Sequence, residues 1–101
     1  MKARHLLKEE RKWTKGAWAR NSKNEVVHIK KGIKWDLEGA VYYCYKRSSK
    51  PYIRQVQEYV HKNYKHLICF ARVDAVDLGI FNDLNLVTFN DIRDILRQLN
   101  I

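Results

Sequence analysis

The sequence predicts a mostly α-helical domain, of the α+β class, with four or five helices and one small β-hairpin. Of its 101 residues, 46% are apolar and 12% are aromatic, which suffices for one modest core. Apolar residues recur at helical spacing in most segments, and only one stretch reads as two strands around a turn. We therefore expect residues 1–101 to form a single domain, with a strongly basic helix and hairpin in 1–35 and a helical core in 36–101.

The N-terminal third is predicted to hold one helix and the hairpin. Residues 2–13 carry a narrow apolar stripe between charges, which favours a helix. The letters Asn-Ser-Lys-Asn at 21–24 are typical of a turn. The flanking segments 17–20 and 25–29 are predicted to pair as the two strands of the hairpin.

Two predicted helices occupy the middle of the chain. Asp36 is a candidate cap for the first, in which apolar residues recur three, four and seven positions after Leu37. Gly39 inside this helix costs roughly 1 kcal/mol relative to alanine, so we expect it to mark the close approach of another backbone. Residues 48–51 end this helix, and a second amphipathic helix covers 51–65.

Two further helices are predicted in the last third. Residues 67–81 follow helical spacing better than strict alternation, and Gly79 is expected to end or bend this helix. Residues 89–99 form the final helix. Thr88 would cap it, with Asp91 three positions later completing a variant of the capping box and interacting with the helix dipole.

Positive charge is concentrated at the N-terminal end. The chain has 20 Lys and Arg against 11 Asp and Glu, a net charge of +9. Residues 1–35 hold 11 of the cations and 3 of the acids, whereas residues 72–101 hold 3 and 5. This asymmetry indicates a polyanionic partner, first nucleic acid and then an acidic protein surface. Because the sequence has neither a long apolar run nor the apolar core of a signal peptide, we expect a cytoplasmic protein without a membrane segment.

Few residues have the spacing that chemistry requires. The four histidines form no H-x-x-x-H or H-E-x-x-H pair, and no Cys-x-x-Cys occurs, so neither a metal site nor a cofactor is predicted. Cys44 and Cys69 lack a nucleophile signature and are interpreted as buried reduced thiols. Aspartates three apart, at 74/77 and 91/94, would suit a hard cation, but solvated acidic helix faces have the same spacing. The prediction is therefore a protein that is not an enzyme.

The tripeptide Phe-Asn-Asp occurs twice, at 81–83 and 89–91. The second copy is explained by the cap of the final helix. The first copy has two interpretations, an Asx turn in which Asn82 and Asp83 bond neighbouring backbone amides, or a functional site.

Tryptophans and cations alternate in two places. An exposed tryptophan can stack a base while nearby cations hold phosphates, although tryptophans in a small domain also serve as core anchors. The candidate residues for binding nucleic acid or a protein partner are Trp13, Lys15, Trp18 and Arg20 in the first place, and Lys30, Lys31 and Lys34, next to Trp35, in the second.

Four short motifs spread over nearly the whole chain suggest a family. They are Trp13-x-x-Gly16-Ala17, Gly39-Ala40 in a helix, Phe81-Asn82-Asp83, and Thr88-x-x-Asp91-Ile92. This pattern resembles a family of small proteins of unknown function in bacteriophages and some bacteria, which carry W-x-x-G-A, C-x-x-G-A, W-N-D and T-x-x-D-V. Asp36 stands where the family has cysteine and Phe81 where it has tryptophan, so chemistry that depended on either would be absent here. The resemblance implies a phage origin and no established activity.

Charge and resemblance together predict a small basic phage-type accessory protein. It would bind nucleic acid or a nucleic-acid-handling host or defence complex, with inhibition of that complex as one mode of action, in the cytoplasm of an infected host cell. Its contact surface would be the basic segment 2–34. Two alternatives stay open, a binder of an acidic host protein without nucleic acid and a small enzyme that uses Asp83 and Asn82.

Overall fold

The computed structural model describes residues 1–68 and 71–101, and it is mostly helical with a small antiparallel hairpin, as the sequence predicts. Helix α2 packs against α1, α3 and α4, and α5 packs against α1 and α3. The buried apolar residues form one cluster between these helices. The helices are α1 (Ala3–Leu6), α2 (Leu37–Tyr45), α3 (Ser49–Asn63), α4 (Leu78–Asp83) and α5 (Phe89–Leu99), and the strands are β1 (Ala19–Arg20) and β2 (Lys34–Trp35).

The start of α2 confirms the predicted cap and the predicted close approach. Asp36 precedes the helix, and its Oδ1 accepts a hydrogen bond from the Gly39 amide at 2.6 Å. A Cβ atom on Gly39 would overlap the carbonyl oxygen of Trp18 and lie 2.9 Å from its carbonyl carbon. Two backbones therefore touch here, and a residue without a side chain is required inside the helix.

Helix α5 begins at the predicted capping box. The hydroxyl of Thr88 accepts a hydrogen bond from the Asp91 amide, and the Asp91 carboxylate accepts one from the Thr88 amide at 2.8 Å. The apolar stripe of α5 meets that of α3. Their fully buried residues are Ile92, Ile95 and Leu96 on α5 and Val56 and Val60 on α3.

The predicted helix over residues 2–13 is wrong in its extent. Helix α1 ends after one turn, and a separate 3₁₀ turn follows at Glu10–Lys12. Residues 8–11 are all exposed, so a longer helix would have had no apolar face to bury there. The backbone is extended at Trp13, which brings this residue to α4.

The predicted hairpin forms with a different second strand. The turn at 21–24 is present, with Asn24 in the left-handed region at φ 64°. Segment 25–29, however, reaches β1 through only one isolated bridge, between Arg20 and Val26, and β1 pairs along its other edge with β2. Segment 25–29 does not continue as a strand because His28 accepts a hydrogen bond from the Lys30 amide, and a 3₁₀ turn begins there.

The predicted helix over residues 67–81 is wrong in the described part of the chain, and Cys69 lies outside the described residues. A 3₁₀ turn and extended backbone precede α4, which begins behind its cap Asp77. Gly79 therefore lies in the first turn of α4 and does not end a helix. The apolar residues with helical spacing in 67–81 do not form one buried face, because Ile80, which is among them, is 54% exposed.

Candidate functional site

An open groove of about 1100 Å³ runs along the C-terminal part of α2 and the 3₁₀ turn that follows it. Its lining includes both aromatic rings and cations. None of the described residues that line it is acidic. The rings belong to Trp18, Tyr42, Tyr43 and Tyr45, and the cations are Lys30 on one wall and Lys46 and Arg47 on the other, with His28 beside Lys30.

The end of α2 places two of these cations. Lys46 follows the helix with φ 52° and ψ −118°, a region that residues with a Cβ atom rarely occupy. Holding such a residue there costs roughly 1–3 kcal/mol. The buried Ser49 hydroxyl donates a hydrogen bond to the Lys46 carbonyl at 2.7 Å and fixes the turn. Lys46 and Arg47 are both exposed as a result.

The groove cations form no ion pair within the described part of the chain. The side chains of Lys30, Lys46 and Arg47 make no ion pair or hydrogen bond with another described residue. The ion pairs that do form lie elsewhere and join Arg11 to Glu9, Arg54 to Glu58 and Arg72 to Asp74. The positive charge of the groove is therefore available to an anionic ligand.

Trp18 is an exposed ring held in a fixed position. It is 50% exposed, and its indole Nε1 donates a hydrogen bond to Glu38 Oε1 at 2.7 Å. Its carbonyl oxygen accepts a hydrogen bond from the Asp36 amide at 3.2 Å, and its ring lies 5.2 Å from that of Tyr42. Partial burial raises the pKa of Glu38, although the indole hydrogen bond opposes this effect. Both the backbone and the side chain of Trp18 are thus attached to α2.

The other two tryptophans are anchors of the fold. Trp35 is 4% exposed, and its indole Nε1 donates a hydrogen bond to the Ile29 carbonyl at 3.0 Å. Trp13 is half-buried, and its indole Nε1 donates a hydrogen bond to Asn82 Oδ1 at 2.7 Å. Of the candidate stacking residues, Trp18 alone lies in the groove.

Asn82 joins three distant segments of the chain. Its side chain is fully buried. Its Oδ1 accepts hydrogen bonds from the Trp13 indole at 2.7 Å and the Leu37 amide at 3.1 Å. Its Nδ2 donates to the Thr14 carbonyl at 3.0 Å and to Asp83 Oδ1 at 3.1 Å. The predicted Asx turn is therefore wrong, because this amide bonds distant groups rather than its own turn.

Asp83 and two of the predicted binding cations complete this Asn82 junction. Asp83 Oδ1 accepts a hydrogen bond from the Gly16 amide at 2.9 Å. Lys15 Nζ donates to the Leu84 carbonyl at 2.8 Å, and the Arg20 guanidinium donates to the Lys15 carbonyl at 3.3 Å. These side chains hold the backbone around the junction, so their first role is structural.

The candidate residues thus separate into distinct places. Trp18 and Lys30 line the groove, whereas Lys31 is exposed outside its lining and Lys34 is half-buried in β2. Sequence reasoning missed the groove wall formed by residues 42–47. Its sequence, Tyr-Tyr-Cys-Tyr-Lys-Arg, places rings next to cations, as the N-terminal clusters do, although here the two cations follow the rings.

Asp36 is the most strongly perturbed acid among the described residues. Burial raises its pKa to about 7, and repulsion from Glu38, Asp83 and Asp77 adds to this effect, while the hydrogen bond from the Gly39 amide opposes it. Asp36 caps α2 at the end opposite to Lys46, so its proton affects the stability of the groove wall rather than the groove charge.

Other chemistry finds little support in the groove. Cys44 is a free, half-buried thiol on the lining, and burial raises its pKa to about 11, which keeps it protonated at neutral pH. Within residues 1–68 and 71–101, no group of three or more His, Cys, Asp or Glu side chains could hold a metal ion. Over the same residues, no helix has the length and apolar character needed to cross a bilayer.

Comparison with protein-family models, with curated proteins and with solved structures finds no match to this chain. The resemblance to the phage family therefore stays a prediction. Most of its motif residues have structural roles in this fold. Trp13, Gly16, Asn82 and Asp83 meet at the Asn82 junction, and Gly39 allows the contact between α2 and the backbone of Trp18, just before β1.

Proposed function

We propose that this protein binds nucleic acid through the groove along α2. The observation that supports this most directly is the combination of aromatic rings with the unpaired cations Lys30, Lys46 and Arg47, in a lining whose described residues include no acid. Rings offer flat apolar faces to bases, and cations hold phosphates. The net charge of +9 would attract a polyanion from a longer distance.

The alternatives find less support in the geometry. An acidic protein surface would use the same cations, but it would leave the aromatic lining without a matching flat partner. An enzyme based on Asn82 and Asp83 would need groups that already serve the fold through their hydrogen bonds. The expected role in the cytoplasm of an infected cell, as an accessory protein or inhibitor of a nucleic-acid-handling complex, would depend on the binding proposed here.

The experiment compares two triple variants with the same change in net charge. Both are measured by fluorescence anisotropy with labelled oligothymidylate over a range of salt concentrations, and circular dichroism verifies that both are folded. Control positions are exposed and lie outside the groove lining. The groove variant replaces Lys30, Lys46 and Arg47 with glutamate, and the control replaces Lys8, Lys62 and Lys65 with glutamate.

Three phosphate contacts predict that log K falls with log salt at a slope of about −2 for a single strand, or about 100-fold per tenfold rise in salt. The groove variant should lose most of the affinity and most of this salt dependence, whereas the control should keep most of both. Replacing Lys31 and Lys34 with glutamate should weaken binding less than replacing Lys30 with glutamate, because Lys31 and Lys34 do not line the groove.

Two results would contradict the proposal. If the groove variant and the control lose the same affinity, binding depends on the net charge of the protein and not on the groove. Polyglutamate that binds as tightly as the oligonucleotide, with the same dependence on the groove cations, would instead indicate an acidic protein partner.

A further inference from the structure

We infer that the groove selects unpaired nucleotides, with Trp18 as the residue on which a base stacks and Glu38 as the positioning residue that holds the indole. This inference rests on the proposed nucleic-acid binding. It adds the type of strand and the identity of the stacking residue, neither of which follows from the positive charge of the groove.

The exposure of Trp18 sets it apart from the other two tryptophans. Half of its surface is accessible, although a protein of this size would ordinarily bury a tryptophan as a core anchor. The ring also lines a second, smaller groove of about 260 Å³. Trp18 therefore contributes to two concave surfaces, and its exposed ring is accessible to a strand that binds in the larger groove.

The structure holds this ring ready for stacking. The hydrogen bond to Glu38 fixes the indole, and the contact of the Trp18 backbone with Gly39 and the Asp36 amide fixes the chain beneath it. A ring that is already ordered loses little conformational entropy when a base stacks on it. Because the only donor of the indole is occupied by Glu38, the ring offers its face and no hydrogen bond, so stacking tolerates any base.

Stacking on Trp18 requires an unpaired base. In a duplex the bases stack on one another, and only their edges and the backbone are accessible. A duplex could therefore engage the cations Lys30, Lys46 and Arg47 but could not use the ring without flipping a base out, which costs several kcal/mol. A single strand gains the phosphate contacts and the stacking together.

The experiment measures the affinity of Trp18 and Glu38 variants for labelled oligothymidylate and for a blunt-ended duplex of two annealed strands with the same total number of phosphates. Trp18→Ala should weaken oligothymidylate binding by about 5- to 150-fold, the range for loss of one aromatic stacking contact, and leave duplex binding unchanged. Trp18→Phe should retain most of the affinity, and Trp18→Leu, which keeps apolar contact without a ring, should lose it. Glu38→Gln retains an acceptor for the indole and should bind at least as tightly as the wild type, whereas Glu38→Ala should bind more weakly.

The outcomes separate this inference from the proposed function. If the groove charge variant loses affinity while Trp18→Phe and Trp18→Leu bind oligothymidylate equally, the stacking role is wrong and nucleic-acid binding stands. If the wild type binds the duplex as tightly as the single strand, strand selection is wrong. If the wild type binds neither probe, both proposals are wrong. Because Phe and Leu both preserve apolar packing, the comparison remains decisive if Trp18→Ala does not fold.

Discussion

Replacement of Gly39 by alanine is the sharpest test of how closely α2 packs against the backbone of Trp18, just before β1. In an isolated helix this change would stabilise the structure by about 1 kcal/mol, because alanine is the better helix former. Here the added methyl group would overlap the carbonyl oxygen of Trp18 and lie 2.9 Å from the carboxylate of Asp36. The two backbones must separate to accommodate it, so we expect the sign of the effect to reverse.

The magnitude follows from the contacts that separation would break. The hydrogen bond from the Asp36 amide to Trp18, at 3.2 Å, and the cap from the Gly39 amide to Asp36, at 2.6 Å, would both lengthen. Each is worth about 1 kcal/mol, and overpacking of a filled contact costs about 1–3 kcal/mol more. After the gain of about 1 kcal/mol in helix propensity, the net loss is about 2–4 kcal/mol, or about 10–25 °C in Tm for a domain of this size.

Urea and thermal unfolding followed by circular dichroism would measure this loss. Gly79→Ala is the matched control, because it is also a glycine-to-alanine change within a helix and its Cβ would meet only the Asp77 side chain, at 3.2 Å. The control should stay within about 1 kcal/mol of the wild type. A Gly39→Ala protein as stable as the wild type or as the control would refute the close approach of α2 to the Trp18 backbone.

Three further predictions concern single residues. Asp36→Asn keeps the cap but removes the ionisable group. Because the folded pKa of about 7 lies above the usual 3.8, the protonated carboxyl stabilises the fold below about pH 4, and this contribution is lost as the pH rises through 7. Urea unfolding should therefore show the wild type losing up to about 4 kcal/mol relative to Asp36→Asn between those limits, and parallel pH profiles would contradict this. Asn82→Ala leaves the Trp13 indole, the Leu37 amide and the Thr14 carbonyl without their buried partner, so the free energy of unfolding should fall by about 3–5 kcal/mol in the same measurement. The control Gln55→Ala, at an exposed polar residue, should lower it by less than about 0.5 kcal/mol. Lys46→Gly removes the strain of the positive φ, so the free energy of unfolding should rise by about 1 kcal/mol and Tm with it. The same variant should bind oligothymidylate more weakly, and a loss of stability would argue against the strained turn.

The parts of the fold that could be predicted depend on neighbours in sequence. The caps of α2 and α5 each need an acceptor and an amide three residues away, so Asp36 and Thr88 could be identified from the letters alone. The strand that pairs with β1 could not be predicted, because it depends on the direction of the chain after the 3₁₀ turn that follows His28. The helix predicted over residues 67–81 failed for a similar reason, since apolar spacing does not reveal which residues find a core to face.

The candidate site shows the same division. The sequence identified rings alternating with cations, but it could not tell which tryptophan would be exposed. Trp13 is half-buried and donates a hydrogen bond to Asn82, 69 residues away in the sequence, whereas Trp18 is 50% exposed. The opposite wall at 42–47 was interpreted only as a helix, because the sharp turn at Lys46 that presents its cations has no sequence signal.

The Asn82 junction also has a consequence for the order of folding. Its hydrogen bonds span 69 residues to Trp13 and 45 to Leu37, so closing these loops costs chain entropy before any contact compensates for it. Neighbouring helices such as α2 and α3 close much shorter loops. We therefore expect the helical pair to form early and the junction late. In the native state, transient opening of the junction would free the Leu37 amide for hydrogen exchange and loosen the wall that carries Trp18, so the exchange rate of that one amide would report how often the groove is disassembled.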